Sequence, residues 1–447
     1  MIAVVVFTMC VGVCAGQMTG SYHDYASLSS TLNSLAADTC PTIARVFSVG
    51  TSVLGKELYG LRLTRSPSLG EDSSLPAVRL AGNMHGDETV GREFLLGFAK
   101  YLCTNYGTDV HVTWLVDHTQ IYLIPSLNPD GFAATTRENA NGIDLNRDYP
   151  SRFSSKEQAV DTEGRQAETI AMMDWSAGRT FALAANYHGG AVVASYPWDG
   201  NAQGANVDTP TPDNDLFVHL ATVYAQASPR MQGPEAEVDG GVTNGADWYS
   251  LIGSLQDWTV VARGVPEITL EVSRTKTPPG PSLPDYWADN YVAAMQYVFQ
   301  AQLAVAGRVV AAEDGSPLAG AECILDSRPD GLVSRASPVS GRFWRLALPG
   351  EYSVTCSAPG RTAISKDVSV AAYTLAEPPT TAQIFDALVT FSLPKSAEEP
   401  EESGLGATID SDSAVSIWVG LLLFVELAMA SAAVLFACIN SCGGCRK

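Results

Sequence analysis

Between Tyr22 and Leu303 short apolar runs alternate with longer stretches of helical period. The strand-like runs are Ala44–Val49, Leu58–Leu63, Val78–Gly82, Gln120–Pro125, Phe181–Tyr187 and Glu267–Val272. The helix-like stretches are Val90–Tyr106, Arg165–Trp175 and Tyr286–Leu303. Strands and helices alternating at this spacing predict an α/β sheet with helices on both faces. Open α/β sheets carry their sites at the carboxyl edge. Two of the six histidines, His85 and His188, follow predicted strand ends.

The texture changes after residue 303. Residues 304–393 hold short alternating runs, among them Val305–Val310, Arg342–Leu348 and Tyr352–Cys356, separated by turns such as Leu348-Pro349-Gly350. This pattern predicts a small all-β sandwich. Residues 394–413 carry six acidic side chains against the single Lys395 and read as an extended linker. Residues 414–439 form an apolar run long enough to span a bilayer, interrupted by Glu426. Arg446 and Lys447 in the tail, 440–447, place that end in the cytoplasm. Residues 1–16 read as a signal peptide with no activation segment after them. The expectation is a type I single-pass membrane protein, monomeric, made active, with its main domains lumenal or extracellular.

Four cysteines then lie in an oxidising compartment: Cys40, Cys103, Cys323 and Cys356. Four allow three pairings, and each predicted domain holds two. The expected bridges are Cys40–Cys103 and Cys323–Cys356. The formal net charge of −21 argues against nucleic-acid binding, which needs a basic face.

His85-Gly86-Asp87-Glu88 has the form His-x-x-Glu, and His188 lies far downstream. Two imidazoles and one carboxylate bind a single zinc ion and leave a position open for water. Such a site polarises carbonyls and activates water near neutral pH. Alone, the motif is weak: Glu88 also suits a helix start, where the dipole favours an acid.

The neighbouring motifs narrow the reading. They are Ser126-Leu127-Asn128-Pro129-Asp130-Gly131-Phe132, Thr136-Arg137-Glu138-Asn139, Asp144-Leu145-Asn146-Arg147-Asp148-Tyr149-Pro150, Thr243-Asn244-Gly245-Ala246-Asp247-Trp248-Tyr249 and Glu267-Ile268-Thr269-Leu270-Glu271-Val272-Ser273. Together they resemble the zinc metallocarboxypeptidases, in particular the regulatory branch that contains carboxypeptidases D, M, E and N. The resemblance spans about 22–393. It implies a mixed-sheet catalytic domain over 22–303 and a transthyretin-like β-sandwich over 304–393.

It also implies roles. His85, Glu88 and His188 would be the zinc ligands, with Asp144 orienting His85. Asn146 and Arg147 would hold the substrate's terminal carboxylate, a task suited to a guanidinium fork. Arg137 would stabilise the oxyanion, Tyr249 would cap the bound terminal residue, and Glu271 would be the general base. Asp199 and Gln256 match the positions that bind a basic side chain, so the implied substrates are peptides and proteins ending in Arg or Lys. Where the family often reads Asn-Arg-Asn-Phe-Pro, this chain has Asp148 and Tyr149, an added negative charge beside the clamp. The alternative is a non-catalytic membrane receptor or adhesion protein on an inactive peptidase fold.

Overall fold

Six consecutive buried residues make up Ala77–Gly82, and the same holds for Leu183–His188 and Glu267–Val272. Strands buried on both faces belong in the middle of a sheet covered by helices. The computed structural model, which describes residues 18–67, 75–380, 383 and 387–396, places them there. The main sheet has eight strands: β1 (Ala44–Thr51), β2 (Glu57–Leu63), β3 (Ala77–Gly82), β4 (Gln120–Ile124), β5 (Leu183–His188), β6 (Val192–Tyr196), β7 (Val242–Asn244) and β8 (Glu267–Val272). Their order is β1-β2-β4-β3-β5-β8-β6-β7. The central strands β4, β3, β5 and β8 run parallel, while β2 and β6 join them antiparallel.

The chain moves from β3 to β4 on one side and returns to β5 on the other. That reversal opens a crevice at the carboxyl ends of β3 and β5.

Apolar clusters cover both faces. One gathers Phe94 and Phe98 of the helix Val90–Asn105, Phe217 and Tyr224 of Asn214–Ala227, and Tyr297 and Val298 of Leu283–Phe299. The other centres on Met172 and Trp175 of the helix Ala167–Ala177, with Phe181 and Trp258. Tyr297 donates to the Ala184 carbonyl at 2.7 Å, tying its helix to β5. The predicted strands match these elements to within a few residues. His188, expected just past its strand, is the last residue of β5.

Residues 304–393 supply two further sheets. One joins β10 (Glu322–Leu325), β11 (Ser334–Arg335), β13 (Gly350–Ser357) and β14 (Ile364–Val370); the other joins β9 (Ala304–Ala311), β12 (Arg342–Leu346) and β15 (Val389–Leu393). They share one core, with Val309, Phe343 and Phe391 from one sheet and Leu325, Val354 and Val368 from the other.

The structure has both expected disulfides. Cys323 and Cys356 are register partners on β10 and β13. Cys40–Cys103 fastens the N-terminal segment to the helix Val90–Asn105.

The described residues up to Ser396 belong to one compact unit. Buried Asp213 joins its two parts, taking 3.0 and 2.7 Å contacts from Arg328 and Arg345 and the Leu332 N–H at 2.6 Å. Among the described residues no helix is long and apolar enough to cross a membrane. The apolar segments 1–16 and 414–439, linker residues 397–413 and the tail 440–447 lie outside the described residues.

Candidate active site

Strand register builds the site. Gly82 of β3 faces Tyr187 of β5, and His188 of β5 faces Glu271 of β8. Beyond β3 the chain turns at Asn83, whose φ of 56° is left-handed, a conformation asparagine tolerates better than most residues. Its side-chain amide donates to the carbonyls of His85, Gly86 and Glu88 at 2.9–3.1 Å. Those bonds shape the loop that presents His85 and Glu88.

His85, Glu88 and His188 are buried, and one ligand atom from each lies within 4.8 Å of the others. Glu88 Oε2 is 3.0 Å from His85 Nδ1 and 2.9 Å from His188 Nδ1, and the two ring nitrogens are 3.0 Å apart. Atoms bound to a common zinc at about 2.0–2.2 Å stand a few ångströms apart. Three donor atoms converging on one point is what that ion requires. At the far side of its ring, His85 Nε2 meets Asp144 Oδ1 at 2.9 Å, which turns Nδ1 toward the cluster.

The electrostatics follow from burial and neighbours. Burial pushes the Glu88 carboxyl up, but His85 and His188 outweigh it and hold it well below its usual range. Burial likewise raises Asp144, and the hydrogen bond and charge of His85, then Arg137 and Arg147, bring it below. Burial lowers His188, against the opposing hydrogen bond with Glu88. Glu271 is different. Burial, then the negative charge of Glu88, pushes its carboxyl well up, and its Oε2 has no partner.

Arg137 bridges two acids, with Nε 3.0 Å from Asp144 Oδ2 and Nη1 3.0 Å from Glu88 Oε1. Asn146 is held by the Leu255 N–H on its Oδ1 at 3.0 Å. Arg147 folds its Nη1 onto the Asn146 carbonyl at 2.9 Å, its side chain 36% exposed. Asp148 is occupied elsewhere: its Oδ2 accepts from the Gln166 N–H at 2.8 Å. Tyr249 is partly exposed, and burial, then Glu271, lifts its phenol to about 12.

Asp199 follows β6 and is buried. Gln256 Nε2 donates to its Oδ1 at 2.9 Å, and its own N–H donates to Asp257 Oδ1 at 3.0 Å. Gln256 Oε1 is buried with no partner. A side chain on Gly245 would collide with the Asp199 carboxylate, so the chain there must stay bare. Burial lifts Asp199 to about 6, opposed by Ser254 and Arg147.

His85, Arg137, Asn146, His188, Asp199, Tyr249 and Glu271 line one cavity. Glu88, Asp144, Arg147 and Gln256 stand outside that lining and touch its members. Sequence reasoning passed over Ser195 and Thr269, which also line it. Thr269 lies two residues before Glu271, hence on the same strand face, and Ser195 is its register partner. It also passed over Lys276, whose Nζ is 3.2 Å from Glu88 Oε1.

A sequence profile of the zinc carboxypeptidases matches residues 29–293, more than half of the chain. Carboxypeptidase M of Mus musculus is 37% identical over 356 residues, covering 76% of this chain and 78% of that protein. Carboxypeptidase E of Caenorhabditis elegans is 34% identical over 434 residues, covering 86% and 89%. Carboxypeptidase D of Mus musculus is 36% identical over 366 residues, 78% of this chain but 26% of that protein. The chain thus spans about a quarter of the length of the carboxypeptidase D relatives it matches. Among solved structures, thrombin activatable fibrinolysis inhibitor aligns with a TM-score of 0.52 at 18% identity, over 62% of this chain and 74% of that one. Carboxypeptidase A from Helicoverpa armigera aligns with a TM-score of 0.52 at 20% identity, over 63% and 74%. These structural likenesses are of fold alone.

Proposed function

The chain belongs to the zinc carboxypeptidase family, and from that premise we propose that it hydrolyses C-terminal peptide bonds to release arginine or lysine. The buried pair Asp199–Gln256 carries the side-chain preference. A buried carboxylate beside an unpartnered amide oxygen lacks a donor-rich cation. A guanidinium or ammonium group supplies that need, while an apolar or acidic side chain leaves the carboxylate without a counter-charge and the amide oxygen unpaired.

Zinc held by His85, Glu88 and His188 supplies Lewis-acid polarisation and water activation. The chain's own groups do the rest. Arg147 and Asn146 bind the terminal carboxylate, the first with charge and the second with an amide donor. Tyr249 closes over the terminal residue. Glu271 takes a proton from the attacking water and passes it to the leaving amine, a transfer suited to a carboxyl raised by burial. Arg137, fixed by Asp144 and Glu88, sets a cation where negative charge develops on the scissile carbonyl.

In this proposal residues 22–303 form the catalytic domain and 304–393 a transthyretin-like domain. Residues 1–16 direct the chain into the secretory pathway, and 394–413 link it to one span at 414–439 with the tail 440–447 in the cytoplasm. The enzyme then acts as a monomer, in the lumen or at the cell surface.

The test compares peptides identical except for a final Arg, Lys, Phe or Glu. Basic ends should be favoured by at least about 100-fold in kcat/KM. A preference for Phe or Glu refutes the pocket assignment.

A further inference from the structure

We propose that Asp257, braced by Arg152, is a positioning residue for the side-chain pocket: it grips the backbone of Asp199 and so sets where the pocket carboxylate stands. The Asp199 N–H lies 3.0 and 3.2 Å from the two Asp257 carboxylate oxygens. Asp257 is buried and stands outside the cavity lining, so it acts on a bound side chain only through Asp199. It follows Gln256 in the short helix Leu255–Trp258, and the Ser254 hydroxyl caps that helix by accepting the Asp257 N–H at 3.2 Å. One helical turn therefore holds Asp199 twice, its carboxylate through Gln256 and its backbone through Asp257.

A buried acid under a turn is ordinarily structural, and any acceptor would satisfy the Asp199 N–H. An acid is a poor choice for that task alone. Burial, then the charge of Asp199, pushes the Asp257 carboxyl well up, against the Asp199 N–H, Arg152 and the Gly200 N–H. Arg152 offsets this cost. Its Nε donates to the Gly200 carbonyl at 2.8 Å, and its guanidinium lies 4.8 Å from the Trp198 ring centre and 4.2 Å from that of Phe153. The Leu251 N–H completes the grip, on the Asp199 carbonyl at 2.8 Å. Residues 198–200 are thus fastened one after another, and of the two acids only Asp199 reaches the cavity. Directional pairing with a guanidinium needs its acceptor fixed to within about 0.5 Å, which is what such a support supplies.

This inference rests on the reading of Asp199 as the acid that meets a basic terminal side chain. The experiment uses the full-length chain and measures kcat and KM for two peptides that differ only in a final Arg or Phe. Asp257→Ala leaves the Asp199 N–H without its acceptor. It should cut the Arg-over-Phe preference in kcat/KM about tenfold, through a raised KM for the Arg peptide, with kcat/KM for the Phe peptide held within about threefold. Asp257→Asn keeps a carbonyl oxygen for that N–H and should stay within about threefold of the parent preference. An unchanged preference in D257A, beside a parent that favours Arg, overturns the assignment and leaves the pocket reading intact. So does an equal loss with both peptides, which is what a purely structural role predicts. Where D257A is not recovered folded, Arg152→Met decides on the same ratio: a fall of about threefold supports the assignment, and no change overturns it. A parent without preference for Arg takes down the pocket reading and this inference together.

Discussion

Glu267 and Glu271 lie on the same strand, β8, and an even spacing puts them on the same face. Both are buried. Glu267 forms a close ion pair with Arg79, accepts from Asn186 Nδ2 at 3.0 Å, and Arg79 is further held by Thr259 and Ser176. Glu271 keeps one oxygen without a partner and has its carboxyl raised by burial and by Glu88. One glutamate is saturated and structural, and the other is left poised. Neither residue type nor strand position separates them; what neighbouring strands bring alongside does. Arg79 from β3 and Asn186 from β5 reach Glu267, while toward Glu271 β3 has already ended at Gly82 and β5 ends in His188, its register partner.

Exchanging each acid for its amide tests this difference most strongly. Glu271→Gln should lower kcat by about 10²–10⁴-fold while zinc content and substrate binding persist, since a positioned base contributes that much. Near-normal turnover in this variant would refute the assigned role. Glu267→Gln should do the reverse. It leaves Arg79 buried without its counter-charge, at a cost of about 3–5 kcal/mol in unfolding free energy. Denaturant melts measure that loss, and activity per folded molecule should hold.

Asp199 falls between the two, with one amide partner and a carboxyl lifted to about 6. Its folded value exceeds the ordinary 3.8. Its contribution to stability is therefore full below the ordinary value and lost as pH rises through about 6. Binding of a cationic side chain runs the opposite way, because only the ionised form attracts it. The preference for peptides ending in Arg over those ending in Phe should therefore fall as pH drops through about 6, because protonation of Glu271 affects both substrates alike, and Asp199→Asn should abolish that pH dependence. A pH-dependent preference that persists unchanged in the variant would assign the titration to another group.

Thr269 gives the smallest effect. It lines the cavity between the two glutamates and donates to Asn186 Oδ1 at 3.2 Å. Thr269→Val should cost about 1 kcal/mol of stability, with kcat little changed. A large fall in kcat would move Thr269 to the reactive side of the comparison.

The central strands were legible because their apolar runs are unbroken, and the cluster of His85, Glu88 and His188 because the first two follow β3 and the third ends β5. Val192–Tyr196 and Asn214–Ala227 escaped the sequence reading. The first is a short run among glycines and small residues. The second carries a plain stripe of Leu216, Phe217, Leu220, Ala221 and Tyr224, buried at helical spacing. Lys276 was out of reach, because its relation to Glu88 joins segments 188 residues apart through a loop. The fate of Asp148 was equally hidden: sequence shows a charge beside the clamp, and only the fold shows the Gln166 N–H that engages it.

Asp213 ties the α/β part to the β-sandwich, and Trp344 and Leu346 of the sandwich pack into the core of the larger part. From Asp213 the chain runs back to Thr209, whose carbonyl accepts the Trp198 N–H at 3.1 Å beside Asp199. The sandwich is therefore a buttress for the pocket wall rather than a passenger. Cutting the chain after Leu303 would strip a buried acid of its cations and bare an aromatic face. A shortened version for crystallisation or inhibitor screening that ends near Ser396 keeps these contacts, and a ligand that loosens this seam should disturb the pocket without entering it.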